Sequence, residues 1–476
     1  MSAAITTRFS AADQRTFAAL SGDRNPLHLD PVAARRVAAG EPVVHGMHLL
    51  LRMLDARVRR RPASDIRIDA TFLHPAVVGE PIGIRVDAEG QLVAEAGDAL
   101  VALVTLDAGR EPTPRVSVRS ADRPQPIPPR PRVRSLTDIA AAHGVLAPKT
   151  SPAARRAFPA AVRSLGADMV CALASLSALV GMECPGRDSL LSAVRLRIEP
   201  HARVPRIAWR VCRVDRRFGL VRIDVAGDGL AGTVDAFVRP GVVPPPPFSA
   251  VAARVRPGEF EGQRALIVGG SRGLGAVTAM LVAAGGGLPV VTYAAGGADA
   301  AAIRRTIRDA GHGVETLRLD VTAGDAADVV ARAVRRFDIA DVYFFASPRI
   351  FARRGAAPFD AALFDRFAAV FVHAFARVCA AATRDGRALD VFYPSSQAVA
   401  EPPTALTEYA AAKAAGESVC RAMERSTEKL RMLVSRLPRV ATDQTASIVP
   451  AAAADPLDVM LPIVREMHVE AAEKTR

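Results

Sequence analysis

The chain has 476 residues, half of them apolar and 5% aromatic, which is too long for one ordinary hydrophobic core and calls for several domains. Lys and Arg outnumber Asp and Glu by 62 to 49, a net charge of +13 that favours anionic partners; the arginines are scattered, with no dense basic block, so nucleic acid is not an expected partner. The five cysteines (Cys171, Cys184, Cys212, Cys379 and Cys420) form no CxxC pair, which argues against a disulfide framework or a zinc site and fits a cytoplasmic location.

Two Pro-rich stretches punctuate the chain, one from about Arg110 to Arg134 and one over Pro240 to Pro247. Read as extended linkers, they divide it into 1–115, 135–240 and 255–476. In the first part, helices are predicted over Ala11–Leu20, from Pro31, and over an apolar stretch from Gly46 to Val58. Strands follow over Ile66–Phe72, Ile82–Val86 and Ala99–Leu106, an α+β pattern. The middle part repeats the plan without matching sequence: an apolar helix, Met169–Met182, then strands Ala193–Ile198, Ile207–Val214, Leu220–Val225 and Gly232–Val238. That helix is short for a membrane span, so burial in a core is expected and a membrane is not. The third part alternates strand and helix. Its strands fall over Ala265–Val268, Pro289–Tyr293, Val314–Leu319, Val342–Phe345, Asp390–Tyr393 and Leu433–Arg436, which predicts a doubly wound parallel sheet.

Chemistry-bearing residues cluster in two places. In the third part, Gly269-Gly270-Ser271-Arg272-Gly273-Leu274-Gly275 lies where a strand passes into a helix. Gly269, Gly273 and Gly275 allow a tight turn and let a pyrophosphate approach free N–H groups at the helix start. Tyr409 and Lys413, four residues apart, share one helix face, where an ammonium would lower the phenol pKa. Ser396 lies thirteen residues upstream, just after a strand.

These motifs resemble the short-chain dehydrogenase/reductase family, in particular its 3-oxoacyl-thioester reductases, over about 260 to 445. The resemblance implies that Tyr409 is the general acid, that Lys413 holds the nicotinamide ribose and tunes Tyr409, and that Ser396 orients the substrate carbonyl. It also implies that Asp320 and Val321 contact adenine and that the protein is a homo-oligomer. The second strand ends in Thr292-Tyr293-Ala294 with no acid for a ribose 2′-hydroxyl, and Arg272 could pair with a 2′-phosphate; both point to NADPH. Three positions depart from the family: Phe371 stands where an Asn supports a proton relay, Phe345-Ala346-Ser347-Pro348 replaces an Asn-Ala-Gly turn, and Pro438-Arg439 replaces Pro-Gly.

In the first part, Asp23 and His28 flank a turn set by Asn25-Pro26, an acid/base pair suited to neutral pH. Downstream, Val44-His45-Gly46-Met47 opens the apolar helix, and a Gly there offers an N–H to a developing oxyanion. FSAADQRTFAALSGDRNPLHLD followed by VVHGM resembles MaoC-type (R)-specific enoyl-thioester hydratases and dehydratases of the hotdog fold, well over about 8 to 75 and weakly to 110. The resemblance implies catalytic roles for Asp23 and His28, which of them takes the C2 proton being left open, and an oxyanion-hole role for Gly46. The middle part resembles a degenerate hotdog half that pairs with the first and shapes an acyl site.

The expected architecture is therefore an α+β double hotdog followed by a Rossmann-type α/β domain. The expected chemistry is reduction of a 3-oxoacyl thioester, then dehydration of the (3R)-hydroxyacyl thioester, in fatty-acid-like or polyketide-like synthesis on acyl carrier protein or coenzyme A. Two alternatives stand beside it: the same steps run in the degradative direction, or an active dehydratase joined to a non-catalytic reductase-like scaffold. No metal is expected.

Overall fold

The structure, a computed structural model, describes residues 5–36, 40–57, 64–108, 123–351, 358–445 and 451–473. The boundary expected at 115, and much of the first Pro-rich stretch, lie outside them. The chain divides into two compact units, one ending at Gly241 and one beginning at Val242.

The first unit is built on ten strands: β1 (Ile5–Arg8), β2 (Ile66–Phe72), β3 (Pro81–Val86), β4 (Leu92–Ala96), β5 (Ala99–Ala108), β6 (His143–Leu146), β7 (Ser189–Ile198), β8 (Ile207–Asp215), β9 (Leu220–Gly227) and β10 (Leu230–Val238). They form one antiparallel sheet in the order β1-β3-β4-β5-β2-β7-β10-β9-β8-β6. Each half of that order is the same five-strand topology, so the middle part is a second copy of the first. The copies meet at β2 and β7, paired from Ile66 opposite Ile198 to Thr71 opposite Ala193. Along β2 the alternation Ile66, Ile68, Ala70 turns one face inward.

Three helices lie against this sheet: α1 (Ala11–Ser21), α2 (Gly46–Arg57) and α3 (Ala167–Ala178). Ser10 and Asp13 close a reciprocal capping box at the start of α1, and Gly22 ends it at φ 81°. α2 is buried along most of its length; Met47, Leu50, Leu51 and Met53 have no exposure, and the polar His48 and Asp55 are buried with them. Its one buried acid, Asp55, accepts the Ala160 and Ala161 amides at 2.7 and 2.9 Å, at the start of the helix Pro159–Leu165 in the other copy. α3 runs on into a π-helical turn, Leu179–Glu183. A single hydrophobic core draws on both copies, from Phe9 to Ala236.

The second unit contains β11 (Arg264–Val268), α4 (Gly273–Ala284), β12 (Leu288–Tyr293), β13 (Glu315–Arg318), β14 (Asp341–Phe344), β15 (Leu389–Ser396), α5 (Thr407–Ser426) and β16 (Leu430–Leu437). Its sheet is parallel throughout, in the order β13-β12-β11-β14-β15-β16, with a hydrophobic cluster on each face. The order reverses between β11 and β14, the kind of switch point at whose carboxyl ends open α/β sheets bind ligands. This is the doubly wound arrangement expected from the alternating pattern. Among the described residues, no single helix is long and apolar enough to cross a membrane. The helices Pro159–Leu165 and Ala167–Glu183 are apolar enough together, but they are bent by 114° and largely buried in the core.

Candidate active sites

In the first unit, Asp23 and His28 come together. The turn between them is pinned by Asn25, whose amide Nδ2 donates to the carbonyls of Gly181 (3.0 Å) and Arg187 (3.1 Å) in the second copy. Asp23 is 1% exposed. One carboxylate oxygen accepts the Asn25 amide at 3.0 Å, and the other accepts the Ser177 hydroxyl of α3 at 2.7 Å. His28 Nε2 stands 4.0 Å from that second oxygen. Burial raises the Asp23 pKa against the opposing effects of His28, Ser177 and Asn25. Burial lowers that of His28, opposed by Asp23. His28 Nδ1 lies 2.8 Å from the Val43 carbonyl, which can only accept, so Nδ1 carries the proton and Nε2 presents a lone pair.

Gly46 is the first residue of α2 and lines the same cleft as Asp23 and His28, with Phe72, Ser177 and Leu191. The cleft encloses about 680 Å³ including open solvent. Residues of both copies line it, as the pairing of hotdog halves implied. A Cβ on Gly46 would come within 2.7 Å of Leu191 Cδ2, so no larger residue fits unless Leu191 moves. Asp23, His28 and His45 bring three potential metal-ligand atoms within 4.8 Å of one another. The two imidazoles, however, stack at 3.8 Å and 23°, so their in-plane lone pairs run side by side rather than converging on one ion.

In the second unit, the Gly-rich turn joins β11 to α4. Gly269 and Gly273 adopt φ of 79° and 55°, and a Cβ on Gly275 would lie 2.6 Å from the Gly269 carbonyl. The Gly269 amide donates to Thr292 Oγ1 at 3.1 Å, tying the turn to β12. Arg272 precedes α4 without capping it, and Ser271 is buried beside it. An uncapped helix start behind a turn with no room for a Cβ at Gly269 or Gly275 fits a dinucleotide pyrophosphate. Two expected contacts are otherwise engaged. Arg272 stands 3.7 Å from Asp443, and Asp320 caps its own turn by accepting the Thr322 amide and hydroxyl. Val321 is buried behind it.

Tyr409, Lys413 and Ser396 gather at the carboxyl end of β15. Ser396 hydrogen-bonds Tyr409 and lowers its pKa, but burial outweighs it and the phenol is raised. This corrects the expectation that Lys413 lowers it. The Lys413 ammonium lies 6.0 Å from the Tyr409 ring centre and donates instead to the Pro394 carbonyl at 2.6 Å. It also faces the Phe371 ring at 4.0 Å and the Tyr393 ring at 4.8 Å. Burial brings the Lys413 pKa down to about 7. Phe371 sits in a π-helical turn, Ala369–Ala374, and packs edge-on against Tyr409 at 5.7 Å.

Ser177, Gly181, Gln14 and His45 also shape the first site. Gln14 and His45 lie in the two stretches the sequence singles out, though neither residue is assigned a role there; Ser177 and Gly181 lie outside them.

Residues 2–104 match the family model of the MaoC like domain, and residues 263–451 that of short chain dehydrogenases. Over 106 residues the chain is 36% identical to an (R)-specific enoyl-CoA hydratase of Aeromonas caviae, covering 22% of this chain and 76% of that protein. Over 87 residues it is 32% identical to 3-hydroxyacyl-thioester dehydratase X of Mycobacterium tuberculosis, covering 18% of this chain and 30% of that one. A short chain dehydrogenase from Burkholderia cenocepacia J2315, solved in complex with NADP, is 23% identical, with a TM-score of 0.41, over 44% of this chain and 93% of that one. The chain belongs to the MaoC-like hydratase and dehydratase family through its first unit, and its second unit is a short-chain dehydrogenase domain.

Proposed function

We propose that this chain is a bifunctional enzyme that reduces a 3-oxoacyl thioester with NADPH and dehydrates the resulting (3R)-3-hydroxyacyl thioester. The observation that carries the reading is the first site: a buried carboxylate and an imidazole 4.0 Å apart, in a cleft beneath the helix start at Gly46. His28 Nε2, bare because Nδ1 is held by Val43, takes the C2 proton. Asp23, its pKa raised by burial, protonates the C3 hydroxyl as it leaves, so that water departs and the C2–C3 double bond forms. The Gly46 N–H meets the thioester oxygen as charge develops there. The net charge of +13 suits an anionic carrier, acyl carrier protein or coenzyme A.

In the second unit, the nicotinamide cofactor when bound supplies hydride to C3. Ser396 orients the carbonyl, Tyr409 protonates its oxygen, and Lys413 holds the ribose. Gly269, Ser271, Arg272, Gly273, Leu274 and Gly275 hold the phosphates, and Asp320 and Val321 the adenine. The absence of an acid after β12, together with Arg272, supports NADPH over NADH. A reading of this unit as a non-catalytic scaffold draws on one observation: the Lys413 ammonium is already held by the Pro394 carbonyl and the Phe371 ring.

The test is a short 3-oxoacyl-CoA offered with NADPH and NADH in parallel, with product mass recorded. NADPH loss with an enoyl product is expected; Tyr409→Phe stops NADPH loss, and Asp23→Asn halts the sequence at the 3-hydroxyacyl thioester. If neither cofactor is consumed while enoyl-CoA is still hydrated, the scaffold reading replaces the reductase half.

A further inference from the structure

The first site contains a second imidazole that the proposed chemistry does not use. His45 has no solvent exposure and touches both members of the Asp23–His28 pair. Its ring stacks on His28 with centroids 3.8 Å apart. Its Nε2 lies 3.2 Å from the main-chain carbonyl of Asp23 and 4.0 Å from the carboxylate. On its other side, Nδ1 lies 2.8 Å from Gln14 Oε1, which also accepts the His45 amide at 3.2 Å. That amide can only donate, so Gln14 is fixed with its oxygen toward His45 and its Nε2 toward His48 Nδ1, 3.3 Å away. A buried chain of polar contacts therefore runs from His48 through Gln14 and His45 to Asp23, within the first copy.

We propose that His45, its single ring N–H given to Gln14, is a positioning residue for the acid/base pair: one imidazole packs against the backbone carbonyl of Asp23 and the ring of His28, and so sets the distance across which they exchange protons with substrate. The inference rests on the hydratase and dehydratase reading of this site. Each of its contacts fixes one degree of freedom of the pair, and misplacement of a reacting group by about 1 Å costs on the order of 100-fold in rate. The electrostatics have the matching sign. Burial, then His28 and His48, hold the His45 pKa well below its ordinary value, so its ring stays neutral while His28 gains a proton. The charged and titratable groups around the pair are Asp23, His48 and, toward His28, Arg239; His48 is in turn faced by Asp13 and Arg52.

The test uses the full chain and hydration of crotonyl-CoA, read as kcat, KM and pH profile. His45→Phe keeps a ring against His28 and removes the hydrogen bond to Gln14 and the polar contact with the Asp23 carbonyl. It is expected to lower kcat by roughly 10- to 100-fold with KM within about threefold. The acid limb of kcat/KM should stay in place, because a neutral His45 sets no charge against His28. Gln14→Leu should lower kcat in the same direction, and in the His45→Phe background it should add less than about twofold, since Gln14 acts through His45. Should His45→Phe fail to fold, Gln14→Leu alone reads the same loss of kcat at little-changed KM. Wild-type kcat in the folded variants overturns the inference, as does a loss of kcat/KM that comes from KM rather than kcat. An unsubstituted chain that hydrates no enoyl thioester overturns the proposed function, and this inference falls with it.

Discussion

Gly181 shows how closely the first site is fitted around Asp23. A Cβ there would lie 2.6 Å from one carboxylate oxygen and closer still to the other. Real Cβ atoms do not approach oxygen so closely, and Asp23, tied to Asn25 and Ser177, has nowhere to retreat without losing a hydrogen bond. Gly181→Ala is therefore expected to reduce crotonyl-CoA hydration by about 100-fold through displacement of the carboxylate, with ketoreduction in the same chain unchanged. Full hydration activity would mean that this carboxylate position is not the working one. The site was legible where its residues are neighbours in sequence: Asp23, His28 and Gly46 lie in two adjacent motifs. Ser177 and Gly181 were not, because a Ser and a Gly within an apolar helix show no local pattern, and their partner is more than 150 residues away. The expected pull of Lys413 on Tyr409 failed for a related reason. Spacing of four places both on one helix face, but the buried ammonium turned to the nearest carbonyl, that of Pro394.

Elements were legible in proportion to their periodicity. The parallel strands of the second unit are short apolar runs between helices and stand where expected. In the first unit, β1 and β6 have four residues each, too few for alternation to register, and β4 is buried on both faces, so its pattern does not alternate. The two π-helical turns, Leu179–Glu183 and Ala369–Ala374, have no sequence signature, yet each lies at a candidate site. At the second of these turns, the Phe371 carbonyl accepts the Tyr393 hydroxyl at 3.2 Å, and that hydroxyl passes over Gly416 of α5. A Cβ on Gly416 would fall on the Tyr393 hydroxyl and within 3.0 Å of the Phe371 carbonyl. A tyrosine ring held between β15 and α5 cannot step aside. Gly416→Ala is expected to destabilise the second unit by about 3 kcal/mol in chemical denaturation, although Ala is the better helix former. A neutral or stabilising result would show that α5 and the π-helical turn are not locked together through Tyr393.

For the molecule as a whole, the two Pro-rich stretches divide the chain into three parts, but the first stretch does not separate two cores, as the expected pairing of hotdog halves implies. Between the two copies of the first unit, β2 and β7 pair over six residues and Arg197 Nε donates to Asp65 at 2.7 Å. Asp55 of one copy satisfies two backbone amides of the other, and leaving each of those bare costs about 1–3 kcal/mol. One hydrophobic core serves both copies, and Asp23 takes its shortest hydrogen bond from Ser177 across the joint. A first copy alone would expose the edge of β2 and half of that core, and its carboxylate would lose the Ser177 hydroxyl. A cut within the first Pro-rich stretch should therefore yield an N-terminal piece that aggregates or stays unfolded and hydrates no enoyl thioester, with activity returning only when the two copies are co-expressed. A piece ending at Gly241 retains the whole core and both sides of the cleft, so it should fold and hydrate crotonyl-CoA with kcat/KM within about twofold of the full chain. Circular dichroism and the hydration assay on the two pieces decide the matter. An active, folded first copy would show that the second is dispensable, and that its contacts to Asp23 contribute neither to the fold nor to the rate.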